Sequence, residues 1–255
     1  MVTLAFPRSG DLDYALNDAL ARVDAYRVLA EAFRDPAGPG GVDRLETGIL
    51  RTASERVGAN VDEATWIGLA RIRSRDRRAI EHRAIFGHTV AHGCPPYETE
   101  YGRRHVFGQA QELGDIRGFY EAFGVRPRRG GERPDHVACE LEFLALLALK
   151  EAVSAAQGNH AQRETCRAAA RSFLGDHLGR WLPALAGRIA AREPTSGLAA
   201  AAAVGAAVVA AHARTVGALP IVLGPDDLTP ITDEPDGLRF ECGVDADEPL
   251  GADGP

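Results

Sequence analysis

The densest group of metal-ligating side chains is His88, His92 and Cys94, spaced HxxxHxC, with His82 just upstream. Imidazole and thiolate suit zinc, and histidines four apart on a helix can share one ion. No fourth ligand is specified, and Gly87, Gly93, Pro95 and Pro96 break the helical spacing that would aim these groups together. These histidines therefore read as capping, packing or solvent-facing groups, and no metal site is assigned. A second collection, Asp135, His136, Glu140 and Glu142, mixes carboxylates with an imidazole. On a helix His136 and Glu140 are i,i+4 neighbours able to share a hydrogen bond, whereas Glu142 points away from Glu140. Catalysis would need a nucleophile or second base held opposite, in a pocket that excludes water. The chain has no GxSxG, no HExxH and no phosphate-cradling or dinucleotide glycine motif. The cluster reads as a rigid helix start that also contacts a ligand, and the chain as a non-enzyme. Tyr97 and Tyr101 lie four apart with Glu98 and Glu100 interleaved, a pattern that serves either to seal a core or to grip a peptide. Phe119, Tyr120 and Phe123, ahead of Gly124, read as core.

The elements that must position these residues are helical. Apolar residues at 16, 20, 23, 26, 29, 30 and 33 recur at threes and fours, placing one helix over 16–33 that Asp35-Pro36 and a glycine-proline run terminate. Shorter helices are expected at 42–57, 61–72 and 75–86. An irregular connector covers 87–102 because Pro95 and Pro96 cannot both sit inside a helix. Helix resumes over 103–123. The strongest helix runs from Asp135, read as its amide cap, to Ala156. Others follow at 160–178, at 181–192, opened by Trp181 and Pro183, and at 197–216. No run alternates at period two long enough for a sheet, so the fold class is all-α. Four regions are expected: an N-terminal helical region over residues 1–124, a hinge loop over 125–134, a C-terminal helical region over 135–219 and an irregular acidic tail over 220–255, of which up to half packs along the body.

Composition narrows the function classes. Of 255 residues, 45% are hydrophobic and 25% charged, ordinary for a globular protein. The net charge of -7 is uneven, because residues from Ile221 onward carry ten acids against Arg239 alone. No concentrated basic face of the kind nucleic acid needs is present, and Arg71, Arg73, Arg75, Arg77 and Arg78 read as a solvated helix face. The uncharged run 198–211 is too short and alanine-rich to span a bilayer and reads as a buried helix, so no stable membrane insertion is expected. Residues 1–12 lack the apolar core of a secretory signal. Cysteines 94, 139, 166 and 242 form no CxxC pair and read as reduced thiols of a cytoplasmic protein.

Several separated segments share one resemblance. Pro134-Asp135-His136, followed by Glu140-Leu141-Glu142-Phe143-Leu144, resembles the PDH and ELEF segment of the TorD/DmsD/NarJ family of molybdenum oxidoreductase maturation chaperones. Phe173-Leu174, His177-Leu178, Trp181 and Pro183 resemble its FLxxHLxxWxP segment, and Asp115, Gly118-Phe119-Tyr120 and Ala122-Phe123-Gly124 its DxxGFYxAFG segment. The stretch from Phe86 to Gly102, with Cys94-Pro95-Pro96-Tyr97-Glu98-Thr99-Glu100-Tyr101, is similar to the branch serving dimethyl sulfide, ethylbenzene, selenate or chlorate enzymes. The resemblance implies a TorD-like helical bundle that binds the immature catalytic subunit of a molybdoenzyme, commonly through a twin-arginine leader, until the molybdenum cofactor is inserted. It implies no cofactor resident on this chain, and either a monomer or a domain-swapped dimer. Asp135 and His136 match positions implicated in leader or nucleotide-linked binding, and Tyr97, Glu98, Tyr101 and Glu140 complete the candidate contact set. Arg133 stands where a glutamate often precedes the PDH, which removes one negative contact for a leader.

Overall fold

In the computed structural model, residues 9–38, 41–87, 93–102, 106–126 and 131–228 are described. Among them the chain forms nine α-helices and no strand: α1 (Ser9–Phe33), α2 (Thr47–Arg56), α3 (Glu63–Leu69), α4 (Arg75–Phe86), α5 (Val106–Ala122), α6 (Val137–Ala156), α7 (His160–Asp176), α8 (Leu178–Arg192) and α9 (Gly197–Val216). The all-α expectation holds, and several ends follow from capping chemistry. Asp62, Ser74, Asn159 and Ser196 each accept a hydrogen bond from an orphan amide at the start of α3, α4, α7 and α9. Gly217 ends α9 at φ 73°, a left-handed cap that favours glycine.

Several helix starts differ from the sequence reading. α2 starts at Thr47 and not at 42, because Arg44 pairs with Ser74 as an isolated bridge and Leu45 N–H donates to Arg73 O at 2.8 Å. α1 starts at Ser9, upstream of Leu16, because apolar spacing marks only the stretch of a helix that packs. α8 opens at Leu178, so Trp181 and Pro183 lie inside it, Pro183 in its second turn.

One core joins all of this. α1 lies along α6 and α9, and Tyr26, Leu29 and Phe33 are buried with Leu141, Leu144, Val204 and Val208. Small residues let α9 approach its neighbours closely. A Cβ on Gly197 would sit 2.6 Å from Ile72 Cγ2, and one on Gly68 3.2 Å from the Ala200 methyl. α9 is long and apolar enough to cross a membrane on length and composition, yet two thirds of its apolar stretch is buried inside the protein.

The same helix carries His212 into a buried ionic network. Arg22 pairs with Glu151 and Asp18, both at 3.0 Å, and its Nη1 lies 2.8 Å from His212 Nε2. A guanidinium only donates, so Nε2 accepts and the ring proton sits on Nδ1, 2.8 Å from the Tyr26 hydroxyl. Burial, then the charges of Arg22 and Arg167, push the His212 pKa well below the ordinary value.

The arginines around α4 are not a bare solvated face. Arg71 donates to Thr195 O, Arg75 to Pro36 O and Arg77 to Glu81, while buried Arg78 donates to Val42 O and Arg73 O. Arg71, Arg75 and Arg78 thus fasten loops to the body, whereas Arg73 and Arg77 stay exposed as expected, Arg77 pairing with Glu81 on its own helix. Residues 219–223 run without regular structure beside α8, residues 224–227 close a turn with Asp227 N–H donating to Gly224 O at 3.1 Å, and the acidic tail after Leu228 lies outside the described residues.

Candidate functional site

The irregular stretch after α4 becomes ordered where it meets the start of α6. Val137 N–H donates to Pro96 O and Glu98 N–H to Asp135 O, both at 2.9 Å, so Tyr97 and His136 pair as an isolated antiparallel bridge. One 3-10 turn over Glu98–Glu100 then drops the Glu98 side chain into the interior. Pro95 and Pro96 force this geometry by excluding helix, and the α6 start supplies the missing backbone partners.

The N-cap of α6 is His136, correcting the assignment of that role to Asp135: His136 Nδ1 accepts from Ala138 N–H at 3.1 Å. An acceptor nitrogen must be unprotonated, and burial, reinforced by His82, Arg34 and Arg133, drives the His136 pKa down to about 3. His136 and Glu140 meet only through the backbone, Glu140 N–H donating to His136 O at 3.1 Å, and the expected side-chain bond between them is replaced by bonds to Ala138 and Trp181. Fully buried Asp135 instead faces backwards. It accepts from Thr99 Oγ1 at 2.8 Å and takes a two-pronged grip from Arg133, Nε to Oδ1 at 3.0 Å and Nη2 to Oδ2 at 2.8 Å. The half-exposed guanidinium also stacks 4.4 Å over the Tyr97 ring and reaches Thr99 Oγ1 at 2.7 Å. Arg133, which sequence reasoning treated as a lost contact, therefore occupies a complete guanidinium seat made by Asp135, Thr99 and Tyr97.

Beneath that seat lies a second cluster. Glu98 faces His177 Nδ1 at 3.1 Å, and His177 Nε2 faces Asp115 of α5 at 3.3 Å. Burial opposes the imidazolium, but the Glu98 hydrogen bond and charge, with Asp115 and Glu112 behind them, raise the His177 pKa above its ordinary value. Trp181 Nε1 donates to Glu140 at 3.1 Å. Burial, then the charge of Glu98, raise the Glu140 pKa well above the ordinary carboxyl value, which favours its neutral form. Glu98, Glu112 and His177 offer ligand atoms within 4.8 Å of one another. With both ring nitrogens of His177 turned to carboxylates, the trio acts as an ion-pair knot joining the 97–102 segment to α5 and to the α7–α8 junction.

Around the knot, Phe119, Tyr120, Phe143 and Phe173 pack edge-to-face or tilted with centroids 4.8 to 6.4 Å apart. Phe123 joins them through Phe143. Tyr120 OH donates to Pro134 O at 2.7 Å, fixing α5 to the start of α6. Tyr101 is buried 5.2 Å from the Trp181 ring and donates to Pro95 O. Of the candidate contact residues, Tyr97 is half-buried, while Glu98, Tyr101, Asp135, His136 and Glu140 are buried. The structure brings Tyr97, Asp135 and His136 together at the upper layer and Glu98 and Glu140 together at the lower one. Sequence reasoning missed Glu112 and the link from Glu98 to His177, whose 79-residue separation leaves no local pattern. His88 and His92 lie outside the described residues, and Cys94 is buried, its thiol pKa raised by burial.

The fold and site define an all-helical bundle whose buried polar groups lock an irregular segment onto the start of its central helix. The nitrate reductase delta subunit family matches over residues 55–187, and the chain belongs to that family. The chain is 43% identical over 181 residues to the chlorate reductase assembly chaperone protein of Ideonella dechloratans, a match covering 71% of this chain and 82% of that one. It is 40% identical over 91 residues to the selenate reductase assembly chaperone protein of Thauera selenatis, covering 35% of this chain and 46% of the other. No solved structure matches the chain. The family and the branch are those that the PDH, ELEF and CPPYETEY segments resemble.

Proposed function

We propose that this protein is a system-specific assembly chaperone of the cytoplasm. It binds the immature catalytic subunit of a DMSO reductase-class molybdoenzyme and assists molybdenum cofactor insertion before export. The observation that carries the reading is the 43% identity to a chlorate reductase assembly chaperone across 82% of that relative. The mechanism is binding without turnover: the chaperone prefers the unfinished partner and is released when folding closes the cofactor site.

The guanidinium seat supports a role for Tyr97, Asp135 and His136 in engaging a client leader. A leader arginine entering it would displace Arg133 and inherit the Asp135 carboxylate and the Tyr97 ring. Glu98, Tyr101 and Glu140 act from beneath as positioning groups.

The test is a tagged pull-down from native cells, with identification of the partner by mass spectrometry and molybdenum analysis of the complex. A molybdopterin-class catalytic subunit recovered without molybdenum is the expected result. The same subunit recovered fully loaded would make this chain a permanent assembly subunit, and no such partner under cofactor-limited growth would overturn the reading.

A further inference from the structure

The arginine in the upper-layer seat is only half enclosed. The side chains of Arg22 and Arg78 are 1% exposed and locked into the interior, whereas that of Arg133 is 43% exposed although its partner Asp135 is fully buried. The guanidinium uses its whole fork there. Nε and Nη2 lie on the two oxygens of Asp135, Nη2 also on Thr99 Oγ1, and Nη1 faces Glu100 Oε1 at 3.5 Å, with the Tyr97 ring against the plane. The walls of this seat stand without Arg133. Backbone bonds from Val137 to Pro96 and from Glu98 to Asp135 hold the Tyr97 turn against α6, the Tyr97 and His136 rings meet edge-on at 5.3 Å, and Thr99 donates to Asp135 through both its amide and its hydroxyl. The Arg133 backbone is held as well, its carbonyl accepting from His136 N–H at 3.0 Å. Vacating the seat therefore needs only a swing of the Arg133 side chain into solvent, a rotamer change of the kind exposed side chains make freely. It leaves behind a fully buried carboxylate whose ion-pair partner among the described residues is Arg133, and a buried charge deprived of its partner is strongly unfavourable. The vacated seat thus calls for a second guanidinium.

We propose that Arg133 is an autoinhibitory mimic of the client: it occupies a guanidinium-selective seat and is exchanged for an arginine of the incoming chain. The identity of that chain rests on the assembly-chaperone reading. Occupancy by Arg133 reduces the apparent affinity of the seat in proportion to the fraction standing open. A lone arginine is thereby refused, while one borne on a segment with further contacts gains the effective concentration needed to take the place. The seat also selects by shape. A lysine ammonium is a point charge and cannot lay a plane against Tyr97 while bridging both oxygens of Asp135, so arginine is the ligand it takes.

The test compares the full-length wild type, R133A and R133A/D135N, with N-acetyl-arginine amide and N-acetyl-lysine amide as probes at low ionic strength. R133A is expected to bind the arginine amide at least fivefold more tightly than the wild type does, and at least fivefold more tightly than it binds the lysine amide. R133A/D135N is expected to lose that binding. Should R133A be too unstable for titration, the readout is its thermal unfolding midpoint, which the arginine amide is expected to raise toward the wild-type value and the lysine amide to leave in place. An R133A protein that separates the two amides neither by affinity nor by midpoint overturns the proposal. The cofactor-free catalytic subunit is expected to bind R133A at least fivefold more tightly than the wild type. Equal subunit affinity for the two overturns the competitor role of Arg133 and leaves the assembly reading standing. If R133A takes the arginine amide while the subunit binds no form of the chaperone, the seat and its resident stand and the assembly reading falls.

Discussion

His136 shows how one side chain couples the α6 cap to solution pH. In the fold its pKa is about 3, whereas an unfolded histidine titrates near 6.5. The unfolded chain therefore takes up the proton first, and stability present above about pH 6.5 is lost as pH falls toward 3, at roughly 1.4 kcal/mol per unit. His212, also depressed, acts with the same sign. His177 acts oppositely: its raised pKa gives stability that is full below about 6.5 and lost as pH rises through the folded value. An H136N variant, whose carboxamide oxygen can still accept from Ala138, is expected to remove about 2 kcal/mol of the wild-type loss between pH 6.5 and 5. Urea denaturation at four pH values checks this, and parallel curves for the two proteins would refute it. The knot below makes a second contrast. The raised Glu140 pKa favours its neutral form, so E140Q should cost under about 1 kcal/mol, whereas E98Q leaves the His177 charge short of its nearest partner and should cost about 1.5–3 kcal/mol. Equal destabilisation by the two glutamines would contradict this assignment of protons. The sequence drew attention to Asp135, His136, Glu98 and Glu140 by type and spacing. It could not reveal that Asp135 is already held by Arg133 or that Glu98 answers His177, because both depend on where distant backbone lands.

At the scale of elements, legibility tracked local chemistry. α4 and α9 were readable because Ser74 and Ser196 cap, and Gly217 stops, within a few residues of an apolar pattern. The start of α8 was not, since His177 ends α7 while its ring is fixed by Glu98 and Asp115 from other elements. The small residues of α9 announced close packing without saying against what. Gly205 lies opposite Leu182, Leu29 and Phe33, and a Cβ there would make ordinary contacts at 3.7 to 3.9 Å. G205A should therefore stabilise by about 0.5–1 kcal/mol, the ordinary gain of alanine over glycine inside a helix. G197A, driven to 2.6 Å from Ile72, should destabilise by about 1–3 kcal/mol through overpacking. Thermal unfolding of the two variants must move in opposite directions for this account of α9 to hold.

For the whole molecule, the proposed hinge at 125–134 meets a core that both halves build together. Leu29 and Phe33 of α1 approach Gly205 of α9 and Leu182 of α8, α3 crosses α9, and Arg22 draws its counter-charge from Glu151 of α6. Burying each such leucine or phenylalanine contributes about 1.5–3 kcal/mol, and separating the halves returns several to water at once. It also strands Arg22 and Glu151, a charge pair that is costly to break from one side. Fragments 1–128 and 129–255 should each lack a near-ultraviolet circular dichroism signal alone and recover it when mixed, as a one-to-one complex near the 27.2 kDa of the intact chain. The same complementarity sets the condition for a domain-swapped dimer: in an intact chain whose hinge opens, the exposed faces of one copy fit those of another with no new contact invented. Two folded, non-associating fragments would show instead that the halves are independent domains, and swapping would lose its physical basis.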